Sequence, residues 1–206
     1  MKLYAYWLEY RVTEVVGGTV DYSQSTPEIT IKVDYGTANL AVKDLISVSD
    51  GCTWKLYNGF ECLPTQELTA KRLSVSNIGD NIFYILVFHP DSDEYYTDYV
   101  LNVYQLDMKA YTFLKDGERW ASGEIQEESA VNAPENPEKD GYTFNGWKVN
   151  SEFVSFPYTV LTDTEFVADY TPITYTVSYE LNGGENDESN PKTYNIEQAY
   201  TLKNPT

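Results

Sequence analysis

A chain of 206 residues, 42% hydrophobic and 15% aromatic, is long enough for one or two domains with real cores and too apolar to be disordered. Thirty-two acidic against 14 basic residues give a formal net charge of −18. That balance excludes the clustered Lys and Arg on which phosphate contacts depend, opposes an anionic membrane surface, and keeps a surface protein soluble. No apolar run approaches the roughly 18 residues of a membrane span. The start, MKLYAYWLEYR, is interrupted by Glu9 and Arg11 and does not read as an export signal.

Tyrosine stands out with 19 copies, many alternating with Val, Thr and Ile, and such residues suit a pleated, half-exposed surface. The expected fold class is therefore all-β or mainly β. In chain order, Leu3-Tyr4-Ala5-Tyr6-Trp7 reads as a strand, and Ile29 to Val33 alternates before stopping at Tyr35-Gly36. Cys52 and Cys62 flank a stretch containing Trp54, Tyr57 and Gly59. They are a candidate disulfide across a hairpin, with two free thiols the open alternative. Two thiols alone cannot complete a metal's tetrahedral shell. Ile82 to Phe88 is apolar on both faces, as a central strand covered on both sides would be. A polar turn from His89 to Glu94 and the run Tyr99 to Tyr104 complete a long hairpin over 82–104.

Further on, Tyr111 to Leu114 runs into Asp116-Gly117, a second hairpin signal. The stretch Glu124 to Ala133 is the one place where a helical turn or two is expected. Tyr175, Val177, Tyr179 and Leu181 share one face of a strand that leads into the turn Asn182-Gly183-Gly184. The pattern also recurs. Tyr111-Thr112-Phe113 and Tyr175-Thr176-Val177 each open a strand toward a glycine turn and are each followed by Asn-Pro, at Asn136-Pro137 and Asn204-Pro205. Leu3 to Trp7 echoes Phe166-Val167-Ala168-Asp169-Tyr170 around a central Ala. The chain is thus expected to be a slice of something longer, with one whole unit and two partial ones.

Candidate sites are few. His89 is the only histidine and could serve as a base or a metal ligand, but its place before Pro90 suits a strand terminus. Asp91, Asp93, Glu94 and Asp98, and likewise Glu185, Asn186, Asp187 and Glu188, lack the glycine and distal glutamate of an EF-hand and read as solvated turns. Leu63-Pro64-Thr65 lacks the glycine that would make it a sorting signal. Phosphate loops and dinucleotide fingerprints are absent. No catalytic, cofactor-binding or metal-binding residue is predicted.

The unit formed by Tyr111-Thr112-Phe113, Ala133-Pro134, Asn136-Pro137, Gly141-Tyr142-Thr143-Phe144-Asn145-Gly146-Trp147 and Phe166 to Tyr170 resembles the internalin-type B-repeat, also called the Listeria–Bacteroides repeat. Phe166 and Tyr170 depart from that family's Leu and Trp in the closing strand, whereas Leu3 to Trp7 keeps them. The resemblance implies a small β-grasp-like module of bacterial surface proteins, used in tandem as a spacer and sometimes as an adhesive surface, without catalytic residues. Residues 9–107 resemble a cadherin-like β-sandwich through Gly79, Asp80, Asn81 and the strand Tyr99 to Tyr104, although the usual turn glycine is missing between Asp91 and Glu94.

The implied organisation is a closing strand at 1–8, a sandwich at 9–107, a complete B-repeat at 108–171 and the first half of another at 172–206. Within GYTFNGW, Gly141 and Gly146 would serve turns, and Tyr142, Phe144 and Trp147 would anchor the core. The alternative is an exposed aromatic platform for sugar rings. The expected function is that of a non-catalytic segment of an extracellular, cell-surface or cell-wall protein, a stalk, spacer or adhesion scaffold. The alternative is a glycan- or protein-binding module using exposed Tyr and Trp. Expected partners are the neighbouring modules of the same polypeptide and a surface glycan or host protein, with no nucleic acid, no membrane insertion in this segment, and a monomeric state.

Overall fold

The computed structural model describes residues 11–204, so the strand expected at Leu3 to Trp7 lies outside the described residues. The chain divides into two compact units between Met108 and Lys109. No α-helix occurs among the described residues; the helical content is two short 3₁₀ turns at Val42–Asp44 and Pro64–Gln66.

The first unit contains β1 (Val12–Val15), β2 (Gly18–Asp21), β3 (Glu28–Val33), β4 (Asn39–Ala41), β5 (Ile46–Val48), β6 (Thr53–Tyr57), β7 (Arg72–Ser74), β8 (Gly79–His89) and β9 (Ser92–Gln105). Five of these form a sheet in the order β2-β3-β9-β8-β6, in which β3 and β9 run parallel and the other pairs antiparallel. The ribbons β1-β5 and β4-β7 close the other side. Period-2 alternation does the sorting: Ile29, Ile31 and Val33 of β3 and Tyr99, Leu101 and Val103 of β9 are buried against Val12, Ile46 and Leu73 of the ribbons.

The hairpin over 82–104 is β8 and β9, paired from Gly79↔Gln105 to His89↔Ser92. As expected, β8 is an interior strand, lying between β9 and the edge strand β6, while β9 is the middle of the five. Double-sided burial is confined to Ile85 to Phe88. Ile85 and Val87 join the sandwich core. Leu86 and Phe88 point the other way, packing with Tyr57, Tyr84 and Cys62 in a second cluster.

The second unit contains β10 (Met108–Lys115), β11 (Glu118–Gln126), β12 (Ala130–Val131), β13 (Tyr142–Val149), β14 (Glu152–Phe153), β15 (Tyr158–Thr159), β16 (Thr164–Pro172), β17 (Tyr175–Thr176) and β18 (Thr193–Tyr194). Its sheet has the order β11-β10-β16-β13-β14, with the opening strand β10 parallel to the closing strand β16. This is the strand order of a β-grasp. The helical turns expected between Glu124 and Ala133 do not form. Residues up to Gln126 continue β11, and the backbone beyond finds partners across the module instead: Glu128 N–H donates to Val160 O and Val160 N–H to Ser129 O, flanking the β12-β15 ribbon. Once those amides pair with another segment, a local helix has no hydrogen bonds left to gain.

Among the described residues after β16 the strand structure is the two-residue ribbon β17-β18, extended by Val177 N–H to Lys192 O. The alternation seen from Tyr175 to Leu181 therefore yields a much shorter strand than it suggests. Order in this segment comes from side chains. Asn190 is buried, donates through Nδ2 to Asn186 Oδ1 and Lys203 O, and accepts from Lys203 N–H at 2.8 Å.

Candidate functional site

The stretch GYTFNGW begins at a turn and becomes strand β13. Gly141 has φ +77°, the left-handed region that L side chains avoid. Gly146 sits at a β-bulge between Phe144 and Gly146, which leaves Asn145 unpaired in the ladder with β16. Asn145 Nδ2 reaches across to Asp169 Oδ2 and Thr171 Oγ1, both at 2.8 Å, while Lys148 Nζ binds Asp169 Oδ1 at 2.6 Å. These contacts, the Lys148 bond foremost and the Asn145 bond second, hold the Asp169 carboxyl below its ordinary value.

Trp147 is only 3% exposed, and Phe144 is half-buried against it with ring centroids 5.4 Å apart. The indole meets the edge of Phe113 at 4.8 Å, and Phe113 stacks on Phe166 at 4.5 Å. Trp147 Nε1 has no hydrogen-bond partner among the described residues, so packing alone holds the ring. Tyr142 is the aromatic of the motif that lies outside the core cluster. Its ring packs edge-on to Tyr170, Lys139 Nζ lies 4.4 Å from its centroid, and its hydroxyl donates to Glu197 Oε1 at 3.0 Å. That last bond pushes the Tyr142 phenol up. Phe144 and Trp147 therefore sit with the core, whereas Tyr142 lies at the boundary with the chain that follows.

The exposed aromatic surface is elsewhere. In the first unit, Phe60 (74% exposed), Tyr95 (67%) and Tyr96 (50%) lie on the loop after β6 and near the start of β9. The Tyr96 ring sits 5.7 Å from Phe88. The sheet face away from the sandwich core thus carries the Tyr96 ring beside the Tyr57, Leu86 and Phe88 cluster, whereas Tyr95, its neighbour in the strand, falls on the opposite face. The register places Phe88 opposite Tyr96 and Tyr84 opposite Val100, giving apolar cross-strand pairs on a face that alternation would leave polar. No sequence motif marks this patch. The signal available was the double-sided apolar run from Ile82 to Phe88, which needs a cover or a partner.

Cys52 and Cys62 are free cysteines in the structure. Cys52 packs against the sandwich core, and Cys62 packs with the cluster on the opposite face of the sheet. Burial pushes both thiols up, with the Asp98 carboxylate adding to the effect at Cys62. His89 ends β8, and its Nδ1 accepts the Asp91 N–H at 2.9 Å, a turn contact. In the second acidic stretch Asp187 Oδ1 accepts from Ser189 N–H and Oγ–H, which lowers its carboxyl. Among the described residues no group of three or more His, Cys, Asp or Glu side chains is placed to hold a metal ion. An open depression of about 700 Å³ beside β10 and β16 is lined by Thr112, Asn150, Ser151, Asp163, Glu165 and Val167. Asp163 Oδ1 is already used there, accepting the Ala110 N–H at 2.9 Å.

Comparison with known families places these features. Residues 111–171 match the family described as the Listeria-Bacteroides repeat domain. The match begins at the first aromatic of β10 and ends within β16, the two strands that pair in parallel at the centre of the sheet. The GYTFNGW stretch lies inside that match, and repeats of this family are found in bacterial surface proteins. A search of curated proteins finds no match.

Proposed function

We propose that the chain is a non-catalytic, extracellular stretch of a bacterial cell-surface protein, and that it works as a spacer built of β modules in series. One observation carries this reading: the aromatic residues of the repeat that would make a sugar platform, Trp147 and Phe144, are used to hold the module together. A module that spends its rings on its own core offers shape and stiffness. The sandwich at 9–107, of cadherin-like type, precedes the repeat without a Gly- or Pro-rich linker, and residues 172–206 begin a further repeat. Neighbouring modules of the same polypeptide are its principal partners.

The exposed Tyr96 ring beside Phe88, with Phe60 exposed on the loop after β6, favours a second reading, an adhesive surface for a glycan or host protein. Exposed rings beside a solvated rim are the usual composition of such contacts. Binding of the full chain to a panel of bacterial and host glycans and matrix proteins separates the two. No saturable binding supports the spacer. Saturable binding that is lost in Phe60→Ala and Tyr96→Ala, with the fold retained, overturns it in favour of adhesion.

A further inference from the structure

The left-handed turn at Gly141 also adjoins the chain that follows the repeat. A Cβ added to Gly141 would lie 2.9 Å from Ile196 Cδ1, closer than real Cβ contacts come, and 3.1 Å from Ile196 Cβ, tighter than nearly all of them. Ile196 belongs to the exposed turn after β18, far along the chain, and still occupies the space that this glycine leaves. Two further bonds flank the contact. Ile173 N–H donates to Gly141 O at 2.8 Å, and Tyr142 Oη–H donates to Glu197 Oε1 at 3.0 Å. Two neighbouring residues of the motif, 141 and 142, thus meet 173 at the end of β16 and 196 and 197 of the turn that follows.

Most other left-handed glycines have no such neighbour, Gly51 coming nearest to it at 3.2 Å from Pro90 Cγ. Gly117, at the β10–β11 turn, has φ +83° and nothing within 4 Å of an added Cβ. Its glycine answers to the turn alone, whereas that at Gly141 answers to a turn and a neighbour. Hydrogen bonding across the junction limits swivelling, because a segment tied at both Ile173 and Glu197 cannot rotate about either point alone.

We infer that the Gly141-Tyr142 step is a docking socket for the Asn195–Glu197 turn of the following segment, and that it sets the orientation between one repeat and the next. This rests on the spacer reading and gives it a mechanism: a row of modules keeps its reach only if each junction resists bending. The partner is a short turn with an aliphatic residue followed by a carboxylate, read by a bare backbone and a tyrosine hydroxyl.

The test uses the full chain and backbone amide relaxation of residues 173–204. In the unaltered chain those amides share the slow tumbling of residues 111–171, and the Ile196 methyls show a nuclear Overhauser contact to the Gly141 Hα. Gly141→Ala and Gly117→Ala both place a side chain at positive φ, but only the first collides with Ile196. The expected result is that Gly141→Ala releases the segment, raising its amide exchange at least about fivefold, while Gly117→Ala does not. Tyr142→Phe, which keeps the ring and removes the hydroxyl, gives a smaller release. Equal behaviour of the two glycine variants, or no Overhauser contact in the unaltered chain, overturns the socket. No ligand enters this measurement, so such a failure leaves the spacer reading to its own binding assay.

Discussion

The two units solve the same problem with different side chains. The core of the sandwich is aliphatic: among its described buried residues only Trp54 and Tyr99 are aromatic, and the rest are Val, Ile and Leu from both layers. In the repeat, Phe113, Trp147 and Phe166 make up most of the buried cluster, ringed by Tyr111, Phe144, Phe156 and Tyr158. Two facing layers can interdigitate many small branched side chains. A module whose five-stranded sheet is covered by the two-residue ribbon β12-β15 and loops, with no helix packed on it, has fewer inward positions, so each must carry more area. The edge-on and stacked geometries, Phe113 on Trp147 and Phe113 on Phe166, follow from that crowding.

The comparison breaks most visibly at Trp147. Trp147→Ala is expected to destabilise the repeat by about 3–5 kcal/mol. It should leave the transition of the sandwich in place, because the two buried clusters share no residue. Urea unfolding followed by tyrosine fluorescence and by proton NMR of upfield methyls would resolve the two transitions. A single transition shifted as a whole would mean that the cores are not separate.

The sandwich should be weakest at its polar pins instead. Asn81 is buried; its Nδ2 donates to Asn77 O, Gly79 O and Val103 O, and its Oδ1 accepts the Ser76 and Asn77 amides. Asn81→Ala should cost about 2–3 kcal/mol, since several partners lose their bonds at once. Asn81→Asp, which keeps only the acceptor, should recover part of that loss. A smaller effect is expected at Tyr99, whose hydroxyl accepts the buried Val12 N–H at 3.1 Å. Tyr99→Phe keeps the ring and orphans that amide, at about 1–2 kcal/mol by urea midpoint. Burial also pushes the Tyr99 phenol up.

The smallest effect sharpens the contrast at the surface of the repeat. The folded Asp169 carboxyl is lowered by Lys148 and Asn145, so its contribution is present above the unfolded carboxylate range and is lost as pH falls through the folded value. Asp169→Asn should therefore flatten the acid limb of the repeat's stability curve below about pH 4 and leave the sandwich limb unchanged. Parallel acid limbs in variant and parent would show that the ion pair contributes nothing.

Much of this was legible in the residues, for identifiable reasons. Alternation at Ile29 to Val33 and at Tyr99 to Tyr104 marked strands, because a period of two leaves one face apolar whichever partner it meets. Asp116-Gly117 marked a hairpin because both residues take positive φ, at 52° and 83°. The repeat was legible because GYTFNGW combines a turn, a bulge and a core ring in seven positions, and the family match covers residues 111–171. The extent of the strand after Tyr175 was not legible, because its length depends on how much chain lies opposite to pair with it. Nor was the segment from Glu124 to Ala133, where a local pattern hinted at helix and Val160 supplied the competing partner.

By itself the sequence determined the all-β class, the hairpins and the position of the repeat, since each is written in patterns of a few neighbouring residues. Only the tertiary structure decided which rings are buried and which lie open: Trp147 inside, Phe60 and Tyr96 outside. It alone separated Cys52 from Cys62 on opposite faces of one sheet and brought Ile196 against Gly141. Those outcomes depend on register and on which face a distant segment covers, and a local pattern carries neither.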